Sequence, residues 1–309
     1  MDYRQRTLSS EVGCTGIGLH SGERVHITLK PAPVDTGIKF VRKDLPGSPV
    51  IEAKFENVID TTLATTIGRN GCRVSTIEHL MAALFGLGID NAVVELDGPE
   101  VPIMDGSAAP FVFLIKSAGI RDQEKPKNFI IVRKPFNVKN GNRSVEILPS
   151  KELKITYEIS FDHPLLKSQA YELTFSSRNF TKEISKARTF GFLKDVETLK
   201  QNGLARGGSL DNAIVVDEFR VLNEDGLRYD DEFVRHKILD FLGDLSIVGA
   251  PIIGHFKVKK SGHFLNQYML KKLMESKKHW KLVNLGAEVK PTDQSVKMPS
   301  FALPDSAFA

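Results

Sequence analysis

The chain has 309 residues, of which 41% are hydrophobic and 26% are charged. These proportions are typical of a globular protein and exclude a disordered chain, a collagen-like repeat and a small disulfide-stabilised scaffold. The net charge of +4 is too small to indicate a nucleic-acid partner, although it would tolerate an anionic small substrate. The two cysteines, Cys14 and Cys72, form no C-x-x-C motif, so any metal chemistry is left to the eight histidines.

In the first half of the chain, Val25, Ile27 and Leu29 alternate with polar residues and predict a strand. The pattern then predicts an amphipathic helix over residues 75–85 and an apolar strand over 92–96. A highly charged segment, RDQEKPKN, follows at 121–128. Within it we place an interdomain linker at 123–128, which divides the chain into domains 1–122 and 129–309.

The second half repeats this order, with alternation at Val145 and Ile147, a helix over 231–245 and a strand over 252–256. We interpret the repeat as a duplicated α+β unit; independent use of a common helix–strand pattern is the alternative. Extra material at 184–216, predicted as a helix over 184–201 and a strand over 213–216, is typical of an insertion that adds a wall to a site. The tail from about residue 289 is predicted to be loosely packed.

The N-terminal residues contain no apolar core of a signal peptide. No segment approaches the roughly 18 uninterrupted apolar residues that a membrane-spanning helix needs. We therefore expect a cytoplasmic protein without a transmembrane segment.

The helix predicted at 231–245 has a polar stripe opposite its apolar arc. The stripe consists of His236, Asp240 and Asp244, spaced by four residues. Residues four apart lie about 5–6 Å from each other on a helix, so His236 and Asp240 can bind one metal ion. A solvated polar face is the alternative interpretation.

The helix predicted at 75–85 contains the dipeptide Glu78–His79 outside its apolar stripe. A general base beside a metal ligand is one interpretation. A capping box, in which Glu78 bonds back to the helix start near Ser75, is the other. His263 follows a glycine in a predicted turn, from which it could act as a general acid or serve no function.

Taken together, these segments are similar to one known family, the UDP-3-O-acyl-N-acetylglucosamine deacetylases of lipid A biosynthesis. The similarity covers nearly the whole chain, and its motifs occur in order: QRTL at 5–8, TGIGLHSG at 15–22, STIEHL at 75–80, PIMDGSAAPF at 102–111, ARTFGF at 187–192, VLNEDGLR at 221–228, FVRHKILD at 233–240 and KSGH at 260–263.

The resemblance implies an α+β fold of two similar domains, each a mainly antiparallel or mixed sheet, with the helices sandwiched between the sheets. It also implies one catalytic Zn²⁺ held by His79, His236 and Asp240. The implied catalytic residues are Glu78, His263, Asp244 and Thr189.

The implied reaction is hydrolysis of the N-acetyl group of UDP-3-O-(3-hydroxyacyl)-N-acetylglucosamine, the committed step toward lipid A and lipopolysaccharide, and it should be sensitive to hydroxamates. The 184–216 insertion corresponds to the family's hydrophobic passage for the acyl chain, with Phe190 and Phe192 on its walls. We expect Lys237 to contact phosphate and Phe161 to lie near uracil. No oligomer is implied, and we expect a monomer that binds a small nucleotide-sugar lipid.

Two other functions stay open at this point. A zinc amidohydrolase for a different N-acetyl sugar would need no apolar passage and would accept substrates without the acyl chain. A catalytically inactive nucleotide-sugar-binding protein would not need the complete set of polar residues described above.

Overall fold

A computed structural model of the chain describes residues 3–284 and residue 301. The strands of the first half are β1 (Arg4–Leu8), β2 (Val12–Ile17), β3 (Arg24–Pro31), β4 (Ile38–Arg42), β5 (Val50–Glu52), β6 (Val58–Asp60), β7 (Thr66–Arg69), β8 (Cys72–Val74), β9 (Ala92–Leu96) and β10 (Ile120–Pro126). Those of the second half are β11 (Asn128–Val132), β12 (Phe136–Asn140), β13 (Arg143–Leu148), β14 (Lys154–Ile159), β15 (Gln169–Thr174), β16 (Phe190–Phe192), β17 (Ile214–Val216), β18 (Ile252–Ile253), β19 (His255–Lys259) and β20 (Trp280–Asn284). The helices are α1 (Glu78–Gly86), α2 (Ala109–Ala118), α3 (Ser177–Asn179), α4 (Leu193–Gln201), α5 (Glu232–Ser246) and α6 (His263–Glu275).

Two five-stranded sheets with the same topology form the framework. The first has the order β2-β3-β9-β4-β5 and the second β12-β13-β19-β14-β15. In each, a central strand pairs antiparallel with one neighbour and parallel with the other. Val25, Ile27 and Leu29 of β3 are buried, as the alternation predicts. The predicted α+β fold of two similar units is therefore confirmed.

Helices α1 and α5 pack closely against each other between the two units. A Cβ atom on Gly243 of α5 would lie 2.1 Å from the backbone oxygen of Glu78 on α1, so only glycine permits this approach. All nine residues of α1 are buried, and α5 also packs against β14, β15 and α6. Because α5 has protein on several sides, its polar stripe is buried, and the solvated-face interpretation is wrong.

Residues 123–126 of the predicted linker lie in strand β10, which pairs antiparallel with β1, and Asn128 begins β11. The charged residues here are exposed and pair with neighbouring segments: Lys125 of the predicted linker pairs with Asp35, and Asp122 just before it pairs with Arg6 on β1 at 2.8 Å. Exposed charges of this kind suit a two-stranded ribbon with a solvated face. The proposed domain boundaries at 122 and 129 stay a prediction.

The 184–216 segment differs in detail from the predicted helix followed by a strand. A π-helical turn occupies Phe180–Ile184, and then β16, α4 and β17 follow, with β16 and β17 paired in parallel. The predicted strand over 252–256 is divided between β18 and β19, because Gly254 separates them. Within 184–216 the chain therefore runs from strand to helix to strand, as β16, α4 and β17.

The prediction of a loose tail concerns residues that lie mostly outside the described part of the chain. The exception is Phe301, which is only 8% exposed. Its ring lies below the Lys127 ammonium, 4.3 Å from it, and its backbone oxygen accepts a hydrogen bond from Arg6. Phe301 is therefore packed and not loose. Within the described residues, no helix has both the length and the apolar character to cross a membrane.

Candidate active site

His79, His236 and Asp240 converge where α1 meets α5. All three are buried, and among the described residues they form a group whose ligand atoms lie within 4.8 Å of one another. The Nε2 atoms of His79 and His236 approach the same oxygen, Asp240 Oδ1, at 3.4 and 3.3 Å. His236 and Asp240 are thus paired on α5 as predicted, and His79 from the other half of the chain completes the group.

Hydrogen bonds and charge prepare these atoms for a cation. His236 Nδ1 lies 3.1 Å from the Ala187 carbonyl, which fixes the proton on Nδ1 and leaves the Nε2 lone pair available. Burial lowers the pKa of His236 to about 3, so the ring is neutral at pH 7. Burial opposes ionisation of Asp240, but His236 and Lys237 hold its pKa well below the usual range.

The spacing of these atoms fits a tetrahedral metal ion. Nitrogen and oxygen ligands at about 2.0–2.2 Å from zinc lie roughly 3.3–3.6 Å from one another in a tetrahedron. The separations of the two histidine Nε2 atoms from Asp240 Oδ1, 3.3 and 3.4 Å, agree with this range. Two imidazoles and one carboxylate also form a donor set typical of catalytic zinc sites. The residues present therefore fit such an ion.

Glu78 is the first residue of α1 and points into the same site. Its Oε2 accepts a hydrogen bond from the backbone N–H of Thr65 at 3.0 Å, and Oε1 lies 3.7 Å from His263 Nε2. The capping-box interpretation is wrong, because no side chain caps α1 and the Ser75 hydroxyl donates to Pro99 instead. Burial raises the pKa of Glu78, although His263 opposes this shift.

His263 begins α6 and does not lie in a free turn. Its Nδ1 donates to Asp244 Oδ2 at 2.9 Å, and this carboxylate is completely buried. Burial alone would lower the pKa of His263, but Asp244 and then Glu78 raise it to about 9. The ring is therefore cationic at neutral pH, with Nε2 directed toward Glu78.

Several residues that support the site were missed by sequence reasoning. Thr65 is fully buried and bonds to both Glu78 and Asp244; its only signal was the threonine-rich stretch at 61–66. Arg188 and Glu232 form a buried pair at 2.9 Å that holds the backbone between Ala187 and Thr189. Glu232 resembled an ordinary acidic residue in a first helical turn, so nothing distinguished it.

A cavity of about 570 Å³ opens from this centre. Glu78, His79, His236, Asp240 and His263 all line it.

The insertion supplies most of the apolar wall of this cavity. They include Phe192, Leu199 and Val215. Phe161 also lines the cavity and packs edge-on against Phe190, with ring centroids 5.7 Å apart.

Two further predicted residues, Lys237 and Thr189, also line the cavity. The Lys237 ammonium bonds to Asp240 Oδ2 at 2.7 Å, so its charge serves the metal-binding group as well as the cavity. Thr189 directly precedes β16, and its backbone oxygen accepts a hydrogen bond from the N–H of Ile214 on β17. This bond begins the pairing of the two strands. Asp244 lies behind His263 and reaches the cavity only through that ring.

Residues 5–275 match the protein family described as UDP-3-O-acyl N-acetylglycosamine deacetylase. The chain belongs to this family. The match covers both sheets and every residue of the site described above, so the resemblance predicted from the motifs is confirmed. It is a family of metalloenzymes, and the His–His–Asp group is the possible metal-binding group.

Curated relatives agree over most of their length. The chain is 57% identical over 281 residues to the UDP-3-O-acyl-N-acetylglucosamine deacetylase of Myxococcus xanthus, covering 91% of this chain and 90% of the relative. It is 54% identical over 287 residues to the protein of the same name from Teredinibacter turnerae, covering 92% and 95%. The corresponding protein of Acidithiobacillus ferrooxidans is 55% identical over 283 residues, with 91% and 93% covered.

Proposed function

We propose that this chain hydrolyses the N-acetyl group of UDP-3-O-(3-hydroxyacyl)-N-acetylglucosamine, releasing acetate and the free amine on the route to lipid A. The observation that carries the proposal is the meeting of His79, His236 and Asp240 in one apolar-walled cavity with Glu78 and His263. We further propose that the resident ion is zinc, which the donor set and spacing support. Zinc bound there would supply Lewis acidity and positive charge for hydrolysis of the acetamide.

Glu78 is suited to accept a proton from the attacking water. Its pKa is raised by burial, which makes the carboxylate a stronger base than an exposed one. The Thr65 N–H holds Oε2, so that Oε1 is left on the side of His263. Water attack on the amide carbon then gives a tetrahedral oxyanion on the substrate.

His263 is suited to protonate the leaving amine. It is cationic at neutral pH because Asp244 and Glu78 raise its pKa to about 9, and its positive charge stabilises the neighbouring oxyanion. The Thr189 hydroxyl is our second candidate for an oxyanion contact, since Thr189 lines the same cavity. Breakage of the C–N bond then yields acetate and the amine.

The rest of the cavity suits the rest of the substrate. We assign the apolar walls around Phe190 and Phe192 to the acyl chain, and Phe161 beside them to the uracil end. Lys237 is our candidate for a phosphate contact. Because both halves of one chain supply the polar groups, no second copy is needed to complete the site, and we keep the monomer and the cytoplasmic location as proposals.

The test is a deacetylation assay on the purified protein, combined with metal analysis. We expect bound zinc, acetate release and inhibition by a hydroxamate. Glu78→Ala and His263→Ala should each lower kcat by about 10²- to 10⁴-fold with little change in KM.

Exposed His26 provides the matched control, and His26→Ala should be unaffected. Absence of bound metal or of acetate release from the wild-type protein would overturn the proposal. Normal kcat with a large rise in KM would show that Glu78 and His263 bind substrate and do not catalyse.

A further inference from the structure

Asp244 is a buried carboxylate that is saturated with hydrogen bonds. It is 0% exposed, and its oxygens accept from Asn266 Nδ2 at 2.7 Å and Gln267 Nε2 at 3.4 Å, in addition to His263 and Thr65. A carboxylate has about four lone-pair sites, so each is occupied. Three of these donors belong to α6, and Thr65 is the donor contributed by the other half of the chain.

Thr65 contacts three groups of the site at once. Its hydroxyl donates to Asp244 Oδ1 at 2.6 Å and lies 3.2 Å from His263 Nδ1. Its backbone N–H donates to Glu78 Oε2 at 3.0 Å. Its backbone oxygen accepts from Ile77 at the start of α1. The residue directly precedes β7 and is 0% exposed, so it has no freedom to turn to solvent.

We propose that Thr65 is a positioning residue for the two proton transfers, which holds Glu78 through its backbone and the Asp244–His263 pair through its hydroxyl. The proposal rests on the deacetylation proposed above. The two contacts fix the 3.7 Å separation between Glu78 Oε1 and His263 Nε2. A substrate amide must receive a proton from one of these groups after water has lost a proton to the other, so their relative position decides the rate.

The hydroxyl can be tested separately from the backbone contact. Thr65→Val keeps the shape and the N–H but removes the hydroxyl, whereas Thr65→Ser keeps the hydroxyl. The neighbouring Thr66, which is 7% exposed and makes none of these hydrogen bonds, provides the matched control Thr66→Val. Each variant is assayed for kcat, KM, bound metal and thermal unfolding.

We expect Thr65→Val to lower kcat by on the order of 10- to 100-fold with KM changed less than about threefold. Bound metal and melting temperature should stay near those of Thr66→Val, and Thr65→Ser should recover most of the rate. The proposal is overturned if Thr65→Val has normal kcat, if its loss only follows lost metal or lost folded protein, or if Thr65→Ser is equally slow.

A crystal structure of Thr65→Val separates this proposal from the proposed function. We expect the Glu78–His263 separation to differ from the wild-type value by more than about 0.5 Å, the tolerance within which catalytic groups must be held. An unchanged separation overturns the role of Thr65 whatever the activity. A wild-type protein that releases no acetate would instead refute the deacetylation.

Discussion

The imidazole rings of His79 and His236 meet edge to face, with centroids 5.0 Å apart and planes at 88°. One ring comes from α1 and the other from α5, so the two halves of the chain meet at the metal-binding group. The contact is short because Gly243 lets α5 approach the backbone of α1. The site therefore depends on packing between the halves as much as on the identity of its ligands.

We expect His79→Ala and His236→Ala to lose bound metal equally, although the two residues lie in different halves. Loss of an outer-sphere partner already weakens metal affinity by about 10- to 100-fold, and loss of a ligand should exceed this. Metal content after gel filtration is the measurement. Glu78→Ala is the control, because Glu78 borders the site without belonging to the ligand group, and its metal content should be normal. Retention of metal by either histidine variant would contradict the assigned ligand set.

Gly243→Ala should destabilise the fold even though alanine favours a helix by about 1 kcal/mol over glycine. The added Cβ would meet the Glu78 carbonyl oxygen at 2.1 Å and cannot be relieved by moving a side chain. We expect a loss of at least about 3 kcal/mol in the free energy of unfolding, measured with urea. Gly191→Ala, with no heavy atom within 4 Å of the added carbon, should change it by less than about 0.5 kcal/mol.

The pH dependence of kcat/KM should be bell-shaped. Glu78 must be ionised to accept a proton, and burial raises its pKa, so the rate rises only above the usual carboxyl range. His263 must be protonated to donate, and with its pKa raised to about 9 the rate falls as the pH passes that value. Rates measured from pH 5 to 10 test both limbs.

Asp244→Asn isolates the alkaline limb of this profile. Removing the negative charge beside His263 should lower its pKa and move the alkaline limb to lower pH, while the acidic limb stays near its wild-type position. A profile that lacks an alkaline limb in the wild-type protein would argue against His263 as the acid.

Local pattern was enough to predict much of the fold and part of the site. Alternation and helical periodicity located β3, α1 and α5, and the four-residue spacing paired His236 with Asp240. The helical periodicity of α5 could not show that its polar stripe is buried. Burial depends on packing against α1, which belongs to the other half of the chain. Within one helix, a buried polar face and a solvated one have the same pattern.

Thr65 could not be predicted for the same physical reason. Its hydroxyl partner, Asp244, lies 179 residues away, and a hydrogen bond at that separation leaves no local signature. The opposite occurs at Ser75–Glu78, where the capping-box pattern is present in the sequence but the capping hydrogen bonds do not form. Thr76 has a positive φ of 56°, which turns the chain before α1, and Ser75 bonds elsewhere.

The contacts of Phe301 should contribute to the stability of the fold. It packs at 8% exposure against Lys127 and Phe175, with a 5.9 Å separation of the two phenyl centroids. We expect Phe301→Ala to cost about 2 kcal/mol in the free energy of unfolding, the scale of burying one large apolar side chain. Phe219, which is 80% exposed, provides the matched control, and Phe219→Ala should be neutral. Equal effects of the two changes would show that Phe301 is not held in its pocket.

Val215→Phe should discriminate between substrates with and without an acyl chain. Val215 on β17 lines the apolar end of the cavity, opposite Gly191. A phenyl ring in its place would displace about two methylene groups of a bound acyl chain. At about 0.8 kcal/mol for each, KM for the acylated substrate should rise roughly 15-fold. The 3-O-deacylated substrate should be unaffected by Val215→Phe and should already be poor for the wild-type protein.

The same replacement at Val50, which is 48% exposed on β5, controls for the change of residue. Val50→Phe should leave both substrates unaffected. If wild-type protein turned over the acylated and deacylated substrates equally well, and Val215→Phe slowed neither, the cavity would not be an acyl passage. A zinc amidohydrolase for a smaller N-acetyl sugar would then be the better description, because such a substrate gains nothing from apolar walls beyond its acetamide.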